Sequence, residues 1–217
     1  MKNEKAKNGI FYTVGEEIFN SVSHGVGILL SVAALTLLIV FAIWKSDGYG
    51  LASAIVYGIS LILLYSMSTV YHIVQNSAAK RILRIFDHSS IFVLIAGTYT
   101  PYLLMCMRNP VGWAIFGLIW GMAALGIVLN AIDLDRFSKI STLCYVLMGW
   151  GIVFTLPKIT RVIGVQGTAL LIAGGVVYTL GVIFYVLKKY RYMHSVWHLF
   201  VLAGSICHYL SILLYVL

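Results

Sequence analysis

The sequence predicts an all-α membrane protein of seven transmembrane helices, N-terminus cytoplasmic and C-terminus outside. Three observations carry that reading. Of 217 residues, 61% are hydrophobic and only 10% charged, against roughly 25% charged in a soluble domain. A chain so poor in charge cannot cover a water-facing surface. Its apolar residues gather into seven stretches, each near the roughly 20 residues that cross a bilayer. The bases lie unevenly in the polar connections between them.

The first stretch, 20–44, is too long for a signal-peptide core, and no small-residue cleavage site follows it. It reads as a retained span, behind a short polar head over 1–19. The second stretch, 51–74, follows KSDGYG. The third, 86–107, follows QNSAAKRILR and contains Pro101, which is expected to kink it. Asn109-Pro110 marks the start of the fourth, 111–132. The fifth, 140–157, follows DLDRFSK and ends at Pro157. PKITRVIG leads into the sixth, 167–187, and KKYRYM into the seventh, 194–217. The whole of 20–217 reads as a single transmembrane domain. Gly117/Gly121 and Gly174/Gly175 are expected at close helix contacts. Trp44, Trp113 and Trp150 are expected at the membrane interface. Cys106, Cys144 and Cys207 lie in apolar stretches without CxxC spacing and read as packing residues.

Orientation follows from the bases. The head (Lys2, Lys5, Lys7) and the even connections hold eleven Lys and Arg, the odd connections four. The positive-inside rule puts the head and the even connections in the cytoplasm. The net charge of +8 therefore reports on topology and lipid head groups, with no nucleic-acid partner.

Four ionisable residues sit where such groups are costly. His72 ends the second span, Asp87 opens the third, and His194 and His198 open the last. In the expected topology all four reach the cytoplasmic side of the membrane. His194 and His198 are i and i+4, on one helix face. Three histidines at one depth read as a metal site, with Zn2+ the first choice. The sequence HSVWH lacks the glutamate of HExxH, so Asp87 is the candidate general base. Ser68, one turn before His72, is placed to hold water or assist at the site. Glu17, Asn20 and His24 share one face of the first span, in position to pack against the metal helices or orient a ligand. His88 is expected to point away from Asp87. His208 lies about 21 Å along the helix from His194 by helical rise, too far for the same metal, and reads as a cavity residue.

The pattern ExxNSVSHG at 17–25, Ser68-x-x-x-His72, FDHSSIFVLIAGTYTP at 86–101 and His194-x-x-x-His198 resembles the hemolysin III proteins. These are the bacterial branch of the progestin and adipoQ receptor family. The resemblance covers nearly the whole chain. It implies seven helices in a bacterial plasma membrane, zinc held by His72, His194 and His198, and Asp87 contacting the metal through water. The wider superfamily includes alkaline ceramidases, membrane-embedded amide hydrolases with a similar residue set. The family name implies cytolysis. Three functions stay open on this basis: a zinc-dependent hydrolase of a lipid amide or ester, a cytolytic pore former, and a lipid-state regulator with structural zinc. Membrane lipids, including a lipid substrate, are the expected partners.

Overall fold

The computed structural model describes residues 12–187 and 189–217. Residues 1–11, with Lys2, Lys5 and Lys7 of the head, and Lys188 of the last connection lie outside the described residues. All regular structure among the described residues is helical: α1 (Val14–Lys45), α2 (Gly48–Ile73), α3 (Ser77–Cys106), α4 (Pro110–Trp150), a 3-10 segment (Gly151–Thr155), α5 (Leu156–Val186), α6 (Met193–Ser211) and a closing π turn (Ile212–Val216). Capping chemistry sets most starts. Thr13 and Glu16 form a reciprocal capping box, so α1 begins at Val14, before its apolar run. Asp47, Asn76 and Asn109 accept from the first free N–H groups of α2, α3 and α4. The bases of QNSAAKRILR therefore stand on the opening turns of α3. Pro101 lies inside α3, which runs on to Cys106.

Five helical runs are long and apolar enough to cross a membrane, and one of them is the 77-residue stretch Pro110–Val186. Straight, it would measure roughly 115 Å, against about 30 Å of hydrocarbon. It is not straight. Asp133 leaves helical angles (φ −160°, ψ 92°) and its carboxylate accepts from the Arg136 N–H at 3.0 Å, as the cap of a new helix. Beyond this break Ser141 donates to Asn130 Oδ1 at 2.7 Å, where one continuous helix would separate them by roughly 16 Å. The second break is Gly164, at φ 69° and ψ −179°. Across it Thr168 donates to Thr160 at 3.0 Å and Trp150 to Thr179 at 2.9 Å. The run thus folds back on itself twice. The connection PKITRVIG is helical up to Ile163, because its reversal needs only the one glycine.

Contacts run α1 to α2, α2 to α3, α3 to α4 and α5 to α6, and α6 closes back on α1. The buried stripe of α1 is Glu17, Asn20, His24, Gly27, Ser31, Ala34, Leu38 and Ala42, spaced by threes and fours. Leu29, Ile43 and Trp44 face outward. Polar and small residues inside with large apolar ones outside is the arrangement lipid imposes. A Cβ on Gly27 would meet the Tyr65 ring at 2.6 Å and one on Gly174 the His208 ring at 2.6 Å. Gly117, Gly121 and Gly175 have open space instead, so they mark no helix contact. The Trp150 indole N–H is turned onto the Thr179 hydroxyl.

Gly164→Ala should destabilise the detergent-solubilised protein by about 1–3 kcal/mol, because an L side chain rarely adopts this backbone conformation. Gly121→Ala, in open space on a helix, serves as the control and should be neutral or slightly stabilising. Unfolding midpoints of the two variants check this.

Candidate metal centre

The site forms where α1 begins, α2 ends, α3 begins and α6 begins. His72, His194 and His198 are buried, and each offers a ring nitrogen within 4.8 Å of the others, so the group can hold a metal ion. The Nε2 atoms of His194 and His198 are 3.1 Å apart. Two nitrogens on one tetrahedral zinc, each roughly 2.0–2.1 Å from it, would stand roughly 3.3 Å apart. His72 Nε2 is buried without a hydrogen-bond partner. Its Nδ1 lies 2.6 Å from Glu17 Oε2. With the proton on Nδ1, the carboxylate accepts it and Nε2 keeps a lone pair directed into the group. The donor set therefore fits a divalent ion of zinc's preferences.

Glu17 is itself tied down. Its Oε1 stands 2.8 Å from Lys80 Nζ, and the lysine also donates to the Val74 carbonyl at 3.2 Å and lies 4.9 Å above the Tyr71 ring. Lys80 is 1% exposed. In the sequence Lys80 stands only as one base of a cytoplasmic connection. It lies seven residues before Asp87, hence on the same face of α3, which is the signal that points to it. Asn20 Oδ1 accepts from Ser195 Oγ at 2.6 Å, joining α1 to the His194–His198 turn. His24 stacks on His198 with ring centroids 3.7 Å apart.

Asp87 and Ser68 line a cavity of about 30 Å³ together with His24, His194 and His198. Asp87 is not part of the three-histidine group itself. His88 does not point away. Its ring turns back along α3 to the Arg84 carbonyl (3.0 Å), placing Nδ1 3.5 Å from Asp87 Oδ2, while Nε2 faces the Tyr185 hydroxyl at 3.2 Å. His208 stands apart from these groups. It stacks on Tyr178 and lines a second cavity of about 130 Å³, whose wall is almost wholly apolar. The two cavities share Leu64, Ile91, Trp197 and Val201, so they adjoin.

Long apolar helices with lipid-facing side chains and a buried three-histidine group at one end define a multi-pass membrane protein with a candidate metal centre. The pattern of the haemolysin-III related family matches residues 12–209. The chain belongs to that family and to a multi-pass cell-membrane location. It is 43% identical to Hemolysin-3 of Bacillus cereus over 94% of this chain and 93% of that one. It is 40% identical to a Hemolysin-3 homolog of Bacillus subtilis (strain 168), over 94% and 96% of the two chains. The human monocyte to macrophage differentiation factor is 29% identical over 77% of this chain and 72% of its own.

Breaking the buried Lys80–Glu17 pair from either side leaves a bare charge, so Lys80→Met or Glu17→Gln should each cost about 3–5 kcal/mol. The double variant should cost clearly less than the sum, because no unpaired charge remains. A double-mutant cycle on unfolding in mixed micelles checks this. Additive losses would show that the ion pair is not the term at stake.

Proposed function

We propose that this chain is a seven-span, zinc-dependent membrane hydrolase of a lipid amide or ester, N-terminus in the cytoplasm and C-terminus outside. The observation that carries the reading is a buried three-histidine group beside a cavity lined by Asp87 and Ser68, which adjoins an apolar cavity. His72, His194 and His198 hold the ion. Zinc, when bound, supplies Lewis acidity toward a carbonyl and lowers the pKa of water it holds to about 7. Asp87 takes the proton from the attacking water and returns it to the leaving amine or alcohol as the C–N or C–O bond breaks. Ser68 offers its hydroxyl to the carbonyl oxygen as charge develops there. The apolar cavity, near the size that takes up a benzene-sized molecule, receives part of an acyl chain. Glu17 fixes the tautomer of His72, and Lys80 keeps Glu17 in place.

The reversals at Asp133 and Gly164 support seven spans, because they divide the Pro110–Val186 run into three membrane-length pieces. The eleven-to-four distribution of bases supports the N-in, C-out orientation. A second reading, cytolysis, comes from the names of the bacterial relatives. A third, a regulator of lipid state with structural zinc, is favoured by the outcome in which metal is present and turnover absent.

A reporter fused after Leu217 should be active only outside the cytoplasm; cytoplasmic activity overturns the seven-span orientation. Purified protein should carry about one zinc per chain, the stoichiometry of a single three-histidine site. Asp87→Asn should keep most of that zinc and lower lipid turnover by about 10² to 10⁴, the contribution of a general base. His72→Ala should lose metal and turnover together. If Asp87→Asn loses zinc as fully as His72→Ala, Asp87 is a ligand and the hydrolase reading in this form is wrong. If wild type carries zinc but cleaves no lipid amide or ester, the structural-zinc reading replaces it.

A further inference from the structure

Tyr12 sits against two of the same histidines, and Glu16 binds the residue beside it. Tyr12 precedes α1 by two residues. Its ring stacks on His194, with centroids 4.7 Å apart and planes 20° apart, and lies 5.6 Å from the His72 ring. One carboxylate holds this segment down. Glu16 Oε2 accepts from the Thr13 N–H at 2.8 Å and from its hydroxyl at 2.7 Å, and Oε1 accepts from the Tyr192 N–H at 2.7 Å. Glu16 thus ties the residue after Tyr12 to the residue two before His194. Tyr192 sits at φ 61°, a left-handed conformation that L residues seldom adopt. A Cβ on Gly15 would come within 3.0 Å of the Tyr192 hydroxyl, so the Tyr192 ring lies along the first turn of α1. Both ends of the clamp are thereby set against α1.

We propose that Tyr12 is a positioning and sealing residue of the metal centre. It fixes the plane of His194 and covers the His194 and His72 rings on the end of the bundle where α1 begins, with Glu16 as the clamp that keeps it in place. The proposal rests on the reading of these histidines as a metal centre. It divides access in two. Ions and water from the aqueous side enter past the Tyr12–Thr13 segment when it lifts from Tyr192. An apolar ligand approaches from the opposite side, through the cavity that ends at Leu64, Trp197 and Val201. Only the aromatic face of Tyr12 is required, so its hydroxyl is dispensable.

The test uses the metal-free, full-length protein in detergent, so that it does not depend on metal uptake. Diethyl pyrocarbonate modifies accessible imidazoles, and peptide mass spectrometry gives a rate for each histidine. Tyr12→Ala should raise the rate at His194 by roughly tenfold, the factor lost with an aromatic contact of this kind. Tyr12→Phe should react as wild type. Glu16→Gln, which keeps the shape of the side chain and weakens the clamp, should raise His194 in the same direction as Tyr12→Ala. His208, deep in the bundle, reports on the fold and should not change. If Tyr12→Ala opens His208 as well, that variant has lost its fold, and Glu16→Gln decides. The proposal is overturned if His194 reacts at the wild-type rate in the variant that keeps His208 protected, or if Tyr12→Phe is as reactive as Tyr12→Ala. In a second arm, zinc-loaded protein is mixed with a water-soluble chelator, and Tyr12→Ala should release the ion faster by a similar factor. A wild type that takes up no zinc fails the metal reading, while the imidazole rates still decide the seal.

Discussion

A buried carboxylate between two basic groups organises one end of this bundle. Glu17 on α1 faces His72 on α2 with one oxygen and Lys80 on α3 with the other. A bare carboxylate in this setting would be strongly unfavourable, and so would a bare ammonium. The three helices are therefore bound to one register, because sliding any of them by a turn would strand a charge. The ends of α2 and α3 joined by the short Val74–Asn76 connection are held in the same way, through the Lys80 bond to the Val74 carbonyl. The geometry of the three histidines is a consequence of this register as much as of their own packing.

Lipid explains why the inside of the molecule is more polar than its outside. Without water in the hydrocarbon region, association of helices gains little from burying leucines that lipid already accommodates. Close approach and internal hydrogen bonds do that work. Gly27 lets α1 approach the Tyr65 ring, and Ser195 bonds Asn20 across the α1–α6 contact. Farther along, the Tyr65 and Tyr178 hydroxyls both meet Ser205 at 2.8 Å. Each link joins different helices, and together they run from the three-histidine group to the apolar cavity.

Much of this was legible in the sequence, and for physical reasons. The depth of His72, Asp87, His194 and His198 follows from span order alone, and the four do gather at one end. The i, i+4 spacing of the last two histidines put both rings on one face, as found. Other features gave no such signal. Lys80 looks like any base of a cytoplasmic connection unless its seven-residue distance to Asp87 is weighed. Tyr12 is an aromatic in a polar segment, and its value lies in contacts with residues about 60 and 180 positions away. Composition does not distinguish a polar helical turn from a loop, so DLDRFSK and PKITRVIG read as connections of several residues. The chain in fact reverses at the single residues Asp133 and Gly164. The threonine-x-x-glutamate signature of Thr13 and Glu16 was readable, and it is why α1 starts within the stretch taken as head.

The distribution of the centre over α1, α2 and α6 also bears on how the protein is made. Ribosomes deliver the chain from its N-terminus, so Glu17, Asn20 and His24 reach the membrane long before Ser195 and His198 exist. Glu17 gains its Lys80 partner only once α3 has followed. Before that, full entry of the first helix into lipid carries the cost of an uncompensated carboxylate. His194 and His198 arrive with α6, after nine-tenths of the residues have been translated. The three-histidine group is accordingly complete only when nearly the whole chain has been made, and a fragment ending before α6 carries His72 alone of the three.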